Sequence, residues 1–442
     1  MKPTYEGCSY SHMKKEFDLE NFNRRDFFKV LGSGGLLSMF PWLQSCTNEV
    51  ANAVSGEKIR LGVIGTGSRG MYHLNNLLNI SQAEVIALCD DYKPHLEQAA
   101  SLYPKAKLFN DYRKLLEEKD IQAVLIVTPL NEHEQMALDA LSEGKHVFCE
   151  KSMALTLDGC RRMYDAYKES GKVLYIGQQR LFDPKYIRAM DMIHNGTIGT
   201  ITGMRAYWYR NNDWRRPVPS PELERRINWR LYRDSSAGLV TELAAHQLQV
   251  GDWALGSRPE SVMGYGDIVY WKDGREVYDN ISLIYRYPNG VKMSYESIIS
   301  NKFLGLEEMI FGDKGTMELE KGKYYFEEAK PAPGILQLIN QIEHKVFDNV
   351  SFAGPSWVPE TASSNKGYYV DDKIKVTSGE SSVGAVGDGS IELLTAFCNS
   401  AITGQPNETL AKEAYYSSIY ALLGLQAMEE NRIVSFPKEY EV

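Results

Sequence analysis

At 442 residues the chain is long enough for two domains with full cores. Its hydrophobic fraction of 43% and charged fraction of 24% are ordinary for a water-soluble protein, and a net charge of -9 without a Lys/Arg block in the body of the chain argues against nucleic acid as a partner. The six cysteines show neither CxxC pairs nor metal-ligand spacing, so no disulfide framework and no metal site is expected. Cys89 and Cys149, set in apolar runs, read as small buried hydrophobes.

Residues 1–46 do not read as part of the fold. Asn23-Arg24-Arg25-Asp26-Phe27-Phe28-Lys29 resembles a twin-arginine export motif. The weakly apolar stretch from Val30 to Leu43 is too short and glycine-rich to span a bilayer. Leu43-Gln44-Ser45-Cys46 resembles a lipobox, which predicts a periplasmic protein anchored to the membrane by a lipid on Cys46. A polar linker is expected over 47–57. Twin-arginine export carries folded proteins, so any dinucleotide cofactor would be loaded before export and held through turnover.

From 58 to about 178 strands and helices alternate, which predicts a doubly wound parallel sheet. Lys58 to Ile64 reads as a buried strand. Gly65-Thr66-Gly67-Ser68-Arg69-Gly70 follows at once, then a helix, then a strand from Glu84 that ends at Asp90. This order suits a dinucleotide. Gly65 allows the tight turn, Gly67 lets a pyrophosphate approach the backbone, and Gly70 lets helix and strand pack closely. Free N–H groups at the helix start attract phosphate. Asp90 can accept hydrogen bonds from the ribose hydroxyls and would repel a 2′-phosphate, so NAD is expected over NADP. Further strands are expected at 123–129, 144–150 and 172–177, with helices at 111–118 and 132–144.

Beyond about 200, aromatic and β-branched residues alternate over 201–209, 261–270, 280–287 and 291–299. That pattern predicts a large open, mostly antiparallel sheet in a C-terminal α+β domain over 179–442. Residues 330–388, rich in Pro, Gly, Ser and Asn, read as an irregular insertion. Helices return at 390–402 and 410–430.

Several motifs together resemble the Gfo/Idh/MocA oxidoreductases, a family that includes glucose–fructose oxidoreductase and inositol dehydrogenases. They are the glycine loop, Thr128-Pro129-Leu130-Asn131-Glu132-His133, and Gly144-Lys145-His146-Val147-Phe148-Cys149-Glu150-Lys151. Gly177-Gln178-Gln179-Arg180 and Ser236 to His246 complete the set. The resemblance implies an N-terminal Rossmann domain and a C-terminal substrate domain, often assembled as a homo-oligomer. It places Thr128, Asn131, His133, Glu150 and Gln179 on the nicotinamide side of the cofactor. It makes Lys151 the active-site lysine and His246 the catalytic histidine, with Glu242 where most members have Asp. A carbohydrate substrate would be bound by Arg180, Tyr186, Tyr209, Asn211, Trp229 and Arg230, with Tyr207 and Arg210 beside them.

The residues themselves support such chemistry. Glu242 and His246 stand at i and i+4, so one helix face would let the carboxylate orient the imidazole and favour its protonated form. Lys151 can stabilise a developing alkoxide. The family usually has proline after the lysine. Ser152 stands there instead, and since a non-proline cis bond costs about 3 kcal/mol, a different backbone path is expected. The leading expectation is hydride transfer between tightly bound NAD and a sugar, glycoside or polyol hydroxyl. A redox-neutral NAD-dependent glycoside hydrolase and a non-catalytic NAD-carrying protein are the alternatives.

Overall fold

The computed structural model describes residues 56–327, 368–369 and 387–442, all within one unit, Val54–Val442. The twin-arginine segment, Cys46, most of the linker and nearly all of 330–388 lie outside the described residues.

Strand β1 (Ile59–Ile64) is buried along almost its whole length, as a parallel strand covered by helices on both faces must be. It is followed by β2 (Ala83–Cys89), β3 (Lys107–Phe109), β4 (Ala123–Ile126), β5 (His146–Cys149) and β6 (Leu174–Ile176). They line up as β3-β2-β1-β4-β5-β6 with every pair parallel. Helices α1 (Ser68–Leu77), α2 (Lys93–Leu102), α3 (Tyr112–Leu116), α4 (Leu130–Ser142) and α5 (Leu157–Ser170) make the crossovers. The strand order reverses between β1 and β4, and the crevice beyond their carboxyl ends is where open α/β sheets bind ligands.

Helix starts differ in a way that bears on function. α5 is capped by Thr156, whose hydroxyl accepts from Gly159 N at 3.0 Å, and it ends on Gly171 in the left-handed region. α1 begins at Gly67 with no side-chain cap, so its first-turn N–H groups stay available to an anion.

The second half contains α6 (Pro184–His194), β7 (Ile201–Tyr209), α7 (Glu224–Ile227), a π-helical turn over Val240–Ala244 and α8 (Ala245–Leu255). Strands β8 (Ser261–Asp267), β9 (Asn280–Arg286), β10 (Lys292–Ile298), β11 (Leu306–Gly312), β12 (Gly315–Glu318), β13 (Lys323–Phe326) and β14 (Tyr368–Tyr369) follow. Helices α9 (Ser390–Thr403) and α10 (Glu408–Glu430) and strand β15 (Val434–Ser435) end the chain. The nine-stranded sheet runs β14-β13-β12-β11-β7-β10-β9-β8-β15, antiparallel except between β7 and β10.

Period-two alternation decides its two faces. In β9, Ile281, Leu283 and Tyr285 are buried while Ile284 is exposed. α10 packs against β8, α8 and α5, tying the sheet to the Rossmann half. Each buried aliphatic or aromatic side chain in this core contributes roughly 1.5–3 kcal/mol. Cys89, Cys149, Cys160 and Cys398 are buried free thiols.

Candidate cofactor and active site

The glycine loop closes tightly on the strands around it. Gly65 has φ +89°, and a Cβ there would lie 2.5 Å from the Val127 carbonyl oxygen. A Cβ on Gly70 would lie 2.1 Å from the Gly65 carbonyl oxygen, so α1 approaches β1 closer than any side chain permits. Asp90, just past β2, accepts from Thr66 N at 2.8 Å, Thr66 Oγ1 at 3.2 Å and Tyr92 N at 2.9 Å. Burial works against its charge, yet hydrogen bonds from His95, Thr66 and Tyr92 hold its carboxyl below the usual range. It is an ionised acceptor at the end of β2, as a ribose ligand requires. Arg226 of α7 pairs with Asp91 and lies 3.5 Å from Asp90 Oδ1.

Glu150, at the end of β5, is not free to face a nicotinamide. Its Oε1 accepts from Arg69 Nε at 2.7 Å and contacts His73 Nε2 at 2.6 Å, and its Oε2 accepts from Lys151 N at 3.1 Å. Burial alone would raise its pKa; Arg69, His73 and Lys151 more than offset this and hold the carboxyl well below its ordinary value. Glu150 thus braces the glycine loop against β5, and Arg69 is turned inward with it. His73 was not visible as a partner because nothing local pairs residue 73 with residue 150.

His133 is buried, with Nδ1 2.8 Å from the Ser152 carbonyl and Nε2 3.1 Å from the Thr128 carbonyl. It therefore positions the two strand-end loops. Asn131 is exposed, and Thr128 Oγ1 donates to Met136 Sδ at 3.6 Å. Gln179 Oε1 is buried without a partner. The Lys151–Ser152 peptide is cis, contrary to the expectation of a different backbone path. Ser152 Oγ donates to Thr241 O at 3.1 Å and Met153 N donates to Ser418 Oγ at 2.9 Å, so neighbours from two later helices hold this segment.

Lys151 Nζ donates to the carbonyls of Thr241 (3.3 Å) and Glu242 (3.1 Å) and lies 3.9 Å from Glu242 Oε2. Both carbonyls belong to the π-helical turn, a bulge of the kind often found at functional sites. Burial lowers the Lys151 pKa against the pull of Glu242 and Glu150. Glu242 accepts from Arg230 Nε at 2.7 Å. Burial would raise its pKa, but Lys151 and Arg230 bring it below the ordinary value.

The expected Glu242–His246 pair is not formed. Two full cations reach the carboxylate, and the i→i+5 turn alters the rotation on which an i, i+4 pairing depends. His246 is 6% exposed, and its Nδ1 has no hydrogen-bond partner. Burial, then the charges of Lys151 and Arg180, push its pKa well below the ordinary histidine value. The imidazole is therefore neutral near pH 7, the reverse of the protonated form expected.

The expected sugar-binding residues divide. Arg180 and Tyr186 are buried in a cluster with Glu308 and Glu320: Arg180 pairs with both, and the Tyr186 hydroxyl oxygen lies 2.7 Å from a carboxylate oxygen of each, with one proton to share between them. Burying a guanidinium demands carboxylate partners, and β11 and the turn after β12 supply them. Tyr209 lies on the outer sheet face, its hydroxyl donating to Glu296 at 2.9 Å and its ring 6.0 Å from Tyr207. Alternation along β7 sends Trp208 to the other face, 6.2 Å from the His246 ring. Sequence reasoning named both tyrosines and passed over Trp208, although period two from Arg210 would have found it. Asn211 is exposed and bridges to Ser300. Trp229 and Arg230 stay at the site, with the guanidinium 4.2 Å over the indole.

The residues fit a dinucleotide. The uncapped α1 start, the Gly65–Gly70 cradle that a Cβ would fill and the Asp90 acceptor supply one end. The unpartnered Gln179 Oε1 and His246 Nδ1 lie buried at the other. Among the described residues no group of three or more His, Cys, Asp or Glu side chains is arranged to hold a metal ion.

Two family models match the chain: the GFO_IDH_MocA oxidoreductase family with NAD-binding Rossmann fold over residues 59–178, and the GFO/IDH/MocA C-terminal domain over 186–318. An inositol 2-dehydrogenase of Salmonella paratyphi B is 36% identical over 32% of this chain and 43% of its own length. A scyllo-inositol 2-dehydrogenase (NAD(+)) of Bacillus subtilis is 30% identical over 48% of this chain and 58% of its own length. The chain thus spans about half the length of these curated relatives. Among solved structures, a levoglucosan dehydrogenase in complex with NADH and levoglucosan superposes with a TM-score of 0.66 at 18% identity. The match covers 86% of this chain and 100% of that one, and shows the shared fold.

Proposed function

The chain belongs to the Gfo/Idh/MocA oxidoreductase family, whose two matched domains together span more than half of its 442 residues, and on that premise we propose that it oxidises a hydroxyl of a sugar, glycoside or polyol using a tightly held NAD. The observation that carries the reading is Lys151, just past the carboxyl end of β5, held by the Thr241 and Glu242 carbonyls of the turn that leads into the buried His246 with its unpartnered Nδ1. Inositol and levoglucosan dehydrogenases among its relatives and fold neighbours support the substrate class.

The Gly65–Gly70 loop and the start of α1 would hold the pyrophosphate, and Asp90 the adenosine ribose. Thr128, Asn131, His133 and Gln179 would bound the nicotinamide end. When bound, NAD supplies the acceptor for the hydride that leaves the carbinol carbon.

The remaining work falls to the chain's own side chains. The neutral His246 imidazole accepts the substrate's hydroxyl proton. The Lys151 ammonium, held by the Thr241 and Glu242 carbonyls, stabilises negative charge as it develops on that oxygen. Glu242 keeps Lys151 charged and fixes Arg230. Glu242 is a positioning residue.

The Arg24-Arg25 motif and the sequence around Cys46 support export in the folded, NAD-loaded state, with a lipid anchor on Cys46. Met263, Tyr265 and Ile284, exposed on the outer face of the nine-stranded sheet, support a homo-oligomer. The direct test is mass analysis of the purified protein for NAD(H), followed by single-turnover reduction with a panel of sugars and polyols. Absence of bound NAD(H), or no reduction by any of them, would refute the proposed activity.

A further inference from the structure

The loop that runs from β7 to α7 and on to the π-helical turn is rich in arginine, and its arginines fall into two groups. Arg215 is paired with Glu224 and Asp273, and Arg225 with Asp234 and Glu276. Arg226 is paired with Asp91, Arg230 with Glu242, and Arg233 with Glu429. Arg210 and Arg216 have no carboxylate partner among the described residues. Both are exposed at the surface, Arg210 next to Trp208 in sequence and Arg216 tied through its backbone to the segment that carries Trp229 and Arg230.

Arg210 places its guanidinium 4.7 Å over the Trp208 ring, and that ring is 6.2 Å from His246. Arg216 is held through its backbone, Arg216 N donating to Asn228 Oδ1 at 2.7 Å and Asn228 Nδ2 donating to Arg216 O at 3.0 Å. Asn228 is buried and directly precedes Trp229 and Arg230. Partial burial and the nearby Arg230 charge lower the pKa of both guanidiniums, so each of the two lies within electrostatic reach of Arg230. Lys151, Arg210, Arg216 and Arg230 thus lie around a site whose near carboxylates, among the described residues, are Glu242 and Glu150, the second already paired with Arg69 and His73, in a chain of net charge -9. At the floor, the buried His246 Nδ1 is unpartnered.

Like charges so gathered repel one another, and the other arginines of the same loop show how this fold neutralises them. A neutral polyol would leave the surplus uncompensated. We propose that the sugar accepted at the His246 site carries a fixed negative charge, an oxyanion substituent received by Arg210 and Arg216 while the reacting hydroxyl meets His246 and Lys151. Guanidinium forks match carboxylate, sulfate and phosphate oxygens alike, and the flat indole of Trp208 offers an apolar face to the ring. This inference rests on the proposed carbohydrate chemistry and narrows its substrate to acidic sugars.

The test uses the purified, NAD-loaded protein and matched pairs: methyl glucuronide against methyl glucoside, methyl galacturonide against methyl galactoside, with a hexose sulfate and a hexose phosphate as further arms. Binding is read by calorimetry and hydride transfer by single-turnover reduction. The charged members are expected to bind at least tenfold tighter, the best arm naming the oxyanion. Arg210→Gln and Arg216→Gln should each erase about ten- to hundredfold of that advantage, the size of a charge-assisted hydrogen bond. NAD should remain bound in both variants.

Equal or better binding of the neutral members overturns the proposal. So does a charged preference that survives both substitutions, or release of NAD by them, which would assign these arginines to the cofactor. Arginine-dependent binding of a charged sugar without any NAD reduction would instead uphold the charge reading and refute the oxidoreductase reading. Turnover of neutral sugars without a charge preference would do the reverse.

Discussion

The Arg230 guanidinium holds the Glu242 carboxylate at 2.7 Å, and the same oxygen lies 3.9 Å from Lys151 Nζ. His246, four residues along the chain from Glu242, is left without that acid. The acid therefore acts on the lysine rather than on the histidine.

Removing the Glu242 charge should be felt at Lys151. Glu242→Gln leaves two cations facing each other, and breaking a buried pair of this kind costs about 3–5 kcal/mol. The Lys151 pKa should fall further, so the loss of activity at high pH should begin at lower pH than in the parent protein. Glu242→Asp, one methylene shorter, should slacken the Arg230 contact and lie between the two. Thermal melts and a pH–rate profile that match the parent's would show the pair to be idle.

For His246 the sign is opposite to that of a histidine paired with acid. Its pKa is depressed, so it is a proton acceptor across neutral pH, and the activity limb that it governs should lie in acid, below the ordinary value of about 6.5, apart from the alkaline limb of Lys151. His246→Ala should lower single-turnover hydride transfer by about 10² to 10⁴ with NAD retained, and Lys151→Ala should do likewise. A limb at or above the ordinary value, or near-normal transfer in either variant, would contradict the assignment.

Acid should loosen the Rossmann half through Glu150. Its folded pKa is depressed by Arg69 and His73, so its stabilising contribution is present above the unfolded value of about 4.3 and is lost as pH falls through the folded one. In Glu150→Gln the melting temperature should be lower at pH 7 and fall less steeply towards pH 3. Parallel curves for parent and variant would dismiss this role.

Cofactor selectivity should follow Asp90. Asp90→Ala removes the acceptor bonded to Thr66 and Tyr92, and should weaken NAD binding while narrowing the preference over NADP. Gly70→Ala would set a Cβ 2.1 Å from the Gly65 carbonyl oxygen, and should cost about 1–3 kcal/mol and most of the NAD affinity. Equilibrium titrations with both dinucleotides decide the matter; a native preference for NADP would refute the reading of Asp90.

Export is testable separately. Replacing Arg24 and Arg25 together by lysine should leave the precursor in the cytoplasm, and Cys46→Ala should release an exported protein from membranes. Fractionation that shows no change in the first case removes the export proposal, and no change in the second removes the anchor alone.

Much of the cofactor half was legible because its signals are local. The expected order of strand, glycine loop, helix and strand is present, with β2 ending at Cys89, one residue before the expected Asp90, and β7 covers Ile201–Tyr209 as its alternation predicted. β3, three residues long with only one partly buried, carries no such pattern and went unread. Within β7 the alternation also separates Tyr207 and Tyr209 from Trp208, yet it does not say which face meets the site. Packing against α8 makes that choice.

What the sequence alone determined was the set of chemical groups: a glycine cradle, an acid after β2, and a lysine, a glutamate and a histidine at motif positions. Only the tertiary structure decided their pairing. Glu150 went to Arg69 and His73 from α1, Glu242 to Arg230 and Lys151, and Arg180 to Glu308 and Glu320 from beyond β10. Periodicity reports which side chains share a face of one element. A buried charge is instead settled by the strongest counter-charge brought to it from anywhere in the chain, because leaving it unpaired costs more than local geometry can return.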